Sequence, residues 1–172
     1  MTLAVYPGSF DPITNGHIDI ARRAAVIFEH VTVAVYDTPP KNVLFPTEQR
    51  MRMAREALAD VPNISVDRFS TLTVEYAQRV GATVLVRGLR AISDFENEFQ
   101  MALLNRKLAP GLDVVCLMTS LEYSFLSSSY IKEVAKLGGC IDGLVPPLVA
   151  RALRERYGRE SEPPPVPRYL SS

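Results

Sequence analysis

The chain has 172 residues, 47% hydrophobic and 22% charged, with 19 basic side chains against 19 acidic ones. That balance provides no global positive field to recruit nucleic acid or a membrane surface, so any anion site must be local. No apolar run approaches the roughly 18 residues of a membrane span and no signal-like segment opens the chain, which predicts a cytoplasmic protein with a single domain over residues 1–160, long enough for a substantial core.

Residues 3–6 form a short apolar run, as a buried parallel strand does, and Ile18, Ala21, Ala25 and Phe28 then recur at helical spacing. Between them runs Tyr6-Pro7-Gly8-Ser9-Phe10-Asp11-Pro12-Ile13-Thr14-Asn15-Gly16-His17, with Thr14 placed as an N-cap. A helix that begins at the carboxyl end of a strand directs its unpaired N–H groups and positive dipole end into the crevice where α/β sheets bind ligands, a geometry suited to phosphate. Gly8 is read as permitting a turn, and Gly16 as opening the first helical turn to a flat or anionic ligand that His17 also faces. The same residues also fit a plain connection with a hydrogen-bonded surface histidine, and spacing alone does not separate the two readings.

Residues 31–36 read as a β-branched buried strand and 37–41 as a proline-rich loop. Thr47 is expected to cap a helix with Met51, Ala54 and Leu58 on one face. Residues 64–69 alternate as a strand; Leu72, Tyr76 and Val80 mark a short helix ended by Gly81; residues 83–86 form a fourth strand. Ser93 is expected to start a long helix with Phe95, Phe99, Ala102 and Leu103 facing inward. Its acids Asp94, Glu96 and Glu98 near the start and Arg106 and Lys107 near the end complement the macrodipole. Residues 114–118 supply a fifth strand, where Cys116 is expected as a small buried thiol, and neither it nor Cys140 has metal-ligand spacing. Ser127-Ser128-Ser129 leads into a helix carrying Ile131, Val134 and Ala135, and Pro146-Pro147 opens a last helix through Leu148, Ala152 and Leu153. Strands alternating with helices predict right-handed crossovers and a doubly wound, Rossmann-like α/β fold with a five-stranded parallel sheet covered on both faces. The proline-rich tail, 161–172, reads as an extended appendage.

Three further stretches fall at carboxyl ends of strands, where loops meet in one crevice. Lys41 follows Pro39-Pro40 and fits either solvated surface or an ammonium held over a polyphosphate. Arg87-Gly88-Leu89-Arg90 follows the fourth strand, where two arginines are costly to leave unpaired, which favours anion binding. Tyr123-Ser124-Phe125-Leu126-Ser127-Ser128-Ser129 follows the fifth; one serine suffices as an N-cap, and three suggest an oxyanion cradle.

Together, Gly8-Ser9-Phe10-Asp11-Pro12 with Thr14-Asn15-Gly16-His17, Arg87-Gly88-Leu89-Arg90 with Asp94-Phe95-Glu96 and Glu98, and the stretch 123–129 followed by Lys132-Glu133-Val134 resemble the phosphopantetheine adenylyltransferases. The first stretch alone is shared with the wider HxGH-type nucleotidyltransferase superfamily, and the other two narrow the likeness, which runs to about Tyr157. The resemblance implies transfer of adenylyl from ATP to 4′-phosphopantetheine with Mg2+, in a cytoplasmic homohexamer with coenzyme A as a feedback ligand and neither nucleic acid nor membrane as partner. It places Ser9, Phe10, His17, Gly88, Leu89, Arg90, Glu98, Tyr123, Ser124, Phe125, Leu126, Ser127, Ser128 and Ser129 against ATP, and Ser9, Lys41, Thr73 and Arg87 against the acceptor, with His17, Lys41 and Arg87 as the catalytic set. Ser9 stands where many members have Thr, which keeps the hydroxyl, and Lys136 stands where some have Arg and is left outside the set.

The chemistry asks for little more. An acceptor phosphate is already anionic and attacks phosphorus without a strong base or an enzyme nucleophile, so positioning and charge compensation suffice. The alternatives within enzymes are a nicotinamide-nucleotide adenylyltransferase or a cytidylyltransferase. Outside them stands a nucleotide sensor, which would need no clamp for an acceptor phosphate.

Overall fold

The computed structural model describes residues 2–40 and 42–158; the predicted tail at 161–172 lies outside them. Strand β1 (Leu3–Gly8) is central, with β2 (His30–Tyr36) and then β3 (Ile64–Phe69) on one side and β4 (Val84–Leu89) and then β5 (Asp113–Met118) on the other. Every pairing is parallel, giving the order β3-β2-β1-β4-β5. The expected doubly wound α/β sheet is therefore present.

Side-chain alternation divides the core between the two faces of the sheet. Ala4, Tyr6, Val31, Val33, Val35 and Val86 pack on one face with α1 (Asn15–Ile27), α2 (Thr47–Ala57), α5 (Ser128–Lys136) and α6 (Pro147–Arg156). Val5, Ala34 and Leu85 pack on the other with α3 (Thr73–Arg79) and with Ala109 and Leu112, just beyond α4 (Ile92–Leu108).

Order reverses at β1, where the chain winds toward β2 first and later returns to place β4 on the opposite side, and such a switch point opens a crevice. Here it has a local cause. The β1–β4 ladder pairs Ala4 with Val84 and Val5 with Leu85 and then stops. Pro7 has no N–H to continue it, and its carbonyl instead accepts a hydrogen bond from the Arg87 guanidinium at 3.1 Å. Beyond that point the strands part.

Several expectations change. The fourth strand runs on through Leu89, so Arg87 and Gly88 are strand residues and not the start of a loop. Thr47 is the first residue of α2, whose N-cap is Pro46; its hydroxyl donates to Asp37 instead of capping. Helix α4 has no buried residue: Phe95, Phe99 and Leu103 are 51%, 53% and 56% exposed. Its apolar side chains surround the axis instead of forming one inward stripe, and within this chain only a narrow strip of it meets the sheet. Cys116 is exposed, because β5 is an edge strand without a buried residue. In α6 the fully inward residues are Val149, Ala150 and Leu153.

Candidate functional site

At the switch point lies a cavity of about 480 Å³ whose wall includes residues from the first loop, the β4 terminus, α4 and the stretch before α5. Each group is held there by its local structure.

Thr14 is extended (φ −118°) and caps α1, its hydroxyl accepting from the His17 N–H. The His17 ring reaches back so that Nδ1 accepts from the Thr14 N–H at 3.1 Å, completing a capping box in which His takes the position usually held by Glu or Gln. A backbone N–H can only donate, so Nδ1 carries no proton and the neutral imidazole bears its hydrogen on Nε2. That makes Nε2 the donor nitrogen of a residue lining the cavity. The ring also meets Phe10 edge-on, with centroids 5.2 Å apart.

The loop before the helix is tightly built. Phe10 adopts φ 46°, a left-handed conformation unusual for a bulky side chain, and the Asp11–Pro12 peptide is cis. Gly8 has a different role from the expected turn: it closes β1, and a Cβ there would stand 2.9 Å from the Phe10 ring. Gly16 lines the cavity, and an added Cβ there would stand 3.4 Å from Tyr123 Cβ, so the missing side chain also makes room for Tyr123. Asp11, buried, accepts from the N–H groups of Leu44 and Phe45 and from Lys132 Nζ at 2.8–2.9 Å.

On the opposite wall, Arg87 makes a bidentate pair with Glu98 at 2.6 and 2.7 Å. Burial works against its charge, but the hydrogen bonds and charge of Glu98 outweigh that and raise its pKa. Arg90 pairs with Asp94 through Nε at 3.0 Å and Nη2 at 3.2 Å and donates to the Leu126 carbonyl. The two arginines, costly to leave unpaired, are thus each held by a carboxylate of α4. Gly88 lets β4 approach α1, where an added Cβ would lie 3.2 Å from Ile20. Between the arginines the Tyr6 phenol is buried; burial raises its pKa well above the ordinary range against the pull of Arg87 and Arg90, and it stays a neutral hydroxyl.

The serine run is shared between capping and bracing. Ser127 caps α5, accepting from the Tyr130 N–H at 3.1 Å, and Ser128 donates to the Pro12 carbonyl at 2.8 Å, tying this helix start to the first loop. Two helix N-termini, those of α1 and α5, therefore meet at one cavity, each carrying partial positive charge.

Of the residues singled out from the sequence, Ser9, Phe10, His17, Thr73, Arg87, Gly88, Arg90, Glu98, Tyr123, Leu126, Ser127, Ser128 and Ser129 line this cavity. Leu89 is buried behind it, whereas Phe125 is 62% exposed and Ser124 bonds to the Leu121 carbonyl; these three do not line it. Lys41 lies outside the described residues. Unforeseen lining residues are Ile20, Tyr36, Phe69, Asp94 and Thr119. Tyr36 and Phe69 end neighbouring strands in register and stack at 4.9 Å, and both stand at the carboxyl ends that the sequence pattern had already located. Asp94 lies four residues after Arg90, a pairing distance on a helix start. Among the described residues no group of three His, Cys, Asp or Glu side chains is arranged to hold a metal ion.

Comparison with known proteins agrees with this geometry. A family model described as cytidylyltransferase-like matches residues 5–134. The phosphopantetheine adenylyltransferase of Roseiflexus sp. (strain RS-1) is 55% identical over 159 residues, covering 92% of this chain and 99% of the relative. That of Carboxydothermus hydrogenoformans is 56% identical over 160 residues, with 93% and 99% covered, and that of Moorella thermoacetica 56% over 158, with 92% and 99%. With the crevice at the strand-order reversal, the Thr14-capped helix carrying His17 and near-complete coverage of relatives at this identity, the chain belongs to the phosphopantetheine adenylyltransferases within the cytidylyltransferase-like family.

Proposed function

We infer that the chain transfers the adenylyl group of ATP to 4′-phosphopantetheine, forming dephospho-coenzyme A and pyrophosphate, and that it does so in the crevice between β1 and β4. The observation that carries this reading is the meeting of His17, Arg87, Arg90 and two helix N-termini around one cavity. An oxygen of the acceptor phosphate attacks the α-phosphorus, the bond from that phosphorus to the bridging oxygen breaks, and pyrophosphate leaves with the electron pair. No group on the enzyme needs to form a covalent bond. As charge grows on the α-phosphate, the His17 Nε2–H donates to it, and the helix ends add N–H groups that require no reorganisation. Arg87 and Ser9 hold the acceptor phosphate, with Thr73 beside the pantetheine arm; Arg90 and the serines hold the β- and γ-phosphates, the two arginines exchanging carboxylate oxygens for phosphate oxygens. Lys41 joins the acceptor clamp in this proposal on the strength of the sequence resemblance. Mg2+ enters as part of the ATP substrate, with phosphate and water oxygens as ligands.

The assay that tests this is pyrophosphate release with ATP and a panel of acceptors. Release with 4′-phosphopantetheine and not with nicotinamide mononucleotide supports the reading; the reverse replaces it, and ATP binding without release from any acceptor makes the chain a sensor.

A cytoplasmic homohexamer with coenzyme A as a feedback ligand completes the proposal. The half-exposed apolar side chains of α4, with Met118 and Leu121 at 72% and 92% exposure, support an interface between copies, since apolar side chains left this exposed are commonly covered by a partner. Among the described residues no helix is long and apolar enough to cross a membrane. Sedimentation of the purified chain reads the assembly, and Phe99→Glu is expected to shift it toward smaller species.

A further inference from the structure

Arg50 is the largest fully buried side chain and lies outside the cavity lining. A guanidinium has five N–H donors in a rigid fork, and all five here have acceptors. Nε donates to the Phe45 carbonyl at 3.0 Å, Nη1 to the carbonyls of Ser9 at 2.7 Å and Tyr36 at 2.8 Å, and Nη2 to the Asp37 carbonyl at 3.2 Å and the Thr47 hydroxyl at 2.8 Å. One side chain of α2 thus gathers the end of β2, the loop after it and the loop after β1 onto a single plane.

The bond to Ser9 matters most for function. The Ser9 carbonyl belongs to the peptide that precedes Phe10, whose φ of 46° is disfavoured for a residue with a Cβ. Such a conformation persists only where neighbouring structure over-determines it. Two contacts do so: the Phe10 ring is seated over Gly8 and against His17, and Arg50 grips the carbonyl on the other side. Releasing that carbonyl lets the peptide rotate, and Ser9, which lines the cavity, moves with it.

We propose that Arg50 is a positioning residue for the adenylyl transfer: its fully engaged guanidinium holds the Ser9–Phe10 peptide so that the Ser9 hydroxyl is presented to the acceptor phosphate. The inference rests on the function inferred above. Lysine would keep the charge but has three donors on a flexible stem and cannot reproduce the planar fork.

The test is a double-mutant cycle on the full-length enzyme, Arg50→Lys against Ser9→Ala, reading kcat/KM for 4′-phosphopantetheine at saturating ATP. Arg50→Lys is expected to lower it roughly tenfold with Ser9 present and less than about twofold in the Ser9→Ala background, a coupling of the size that contacting groups show. A purely structural role predicts the same loss in both backgrounds, and that additive result overturns the proposal, as does a Ser9→Ala enzyme with unchanged kinetics. If circular dichroism shows Arg50→Lys unfolded, Thr47→Val decides: it removes one of the five acceptors at a half-buried position, and its roughly threefold loss must likewise vanish without the Ser9 hydroxyl. Wild-type enzyme that releases no pyrophosphate with this acceptor refutes the function itself, an outcome distinct from additivity in an active enzyme.

Discussion

On the wall built from β1, β2 and α2, Asp11 has a side chain 1% exposed, held by two backbone N–H groups and Lys132, and Arg50 is fully enclosed among carbonyls. On the wall built from β4 and α4, Arg87 and Arg90 have side chains 34% and 41% exposed, and their partners Glu98 and Asp94 17% and 24%. Both walls hold charge, but in different solvent. Removing a partner from a buried, multiply bonded ion strands a desolvated charge, so the first wall is a frame. The second pairs are partly exposed and face the cavity, so in the proposed mechanism a phosphate oxygen takes the place of a carboxylate oxygen and the second wall acts as a grip. A site for two phosphorylated substrates needs both, because a grip without a frame would lose its alignment whenever a ligand arrived.

The sharpest way to break this contrast is on the frame. Asp11→Ala leaves the Leu44 and Phe45 N–H groups and Lys132 without their acceptor, and is expected to cost about 3–5 kcal/mol, lowering the melting midpoint on the order of 10 °C. A shift of a degree or two in a thermal melt would place Asp11 outside any frame.

His17 stands where the walls meet. His17→Ala is expected to keep ATP affinity in a calorimetric titration while turnover falls by about 10²–10³, the loss typical of one oxyanion donor. Unaltered turnover removes His17 from the mechanism.

On the grip, Arg87→Gln should lower kcat/KM for the acceptor about 10- to 100-fold, from roughly 1.5–3 kcal/mol for a charged hydrogen bond. Initial rates with each substrate varied in turn check this, and a larger effect on the KM for ATP would reassign Arg87 to the nucleotide.

The smallest effect has the opposite sign. Asp94→Asn removes the competitor for Arg90, so the KM for ATP is expected to fall by about threefold, within the ~1 kcal/mol of an exposed pair. The same pair has an acid signature. Burial alone would raise the pKa of Asp94, but its hydrogen bonds from Arg90 lower it overall. A carboxylate depressed by folding stabilises above its unfolded pKa of about 3.9 and loses that contribution as pH falls through the lower folded value. The stability difference between wild type and Asp94→Asn should therefore shrink on acidification from pH 6 toward pH 3, and a constant difference in melts across that range contradicts the pairing.

Much of the grip could be read along the chain, because its parts are local. Thr14 caps α1 three residues before His17, and Arg87 and Arg90 flank a glycine at a strand end. The frame could not be read this way. Arg50 looks like one of many solvated helix arginines, and the one hint, its position a single turn before Ala54 on the inward face of α2, says nothing of four carbonyls arriving from the end of β2 and two loops. The exposed residues of α4 and Cys116 were misplaced for a related reason. Apolar composition identifies what must be covered but not which chain covers it, and an edge strand differs from a central one only by its neighbours.

Taken alone, the order of residues determined the alternation of strand and helix, the capped helix that follows the first strand, and the placing of cationic and hydroxyl side chains at strand ends, since each depends on contacts within a few positions. Tertiary structure alone decided which strand became the edge, where Pro7 ended a ladder and opened the crevice, and which arginine is enclosed among carbonyls and which lines the cavity. Those outcomes depend on burial, and burial is a property of segments brought together from distant parts of the chain.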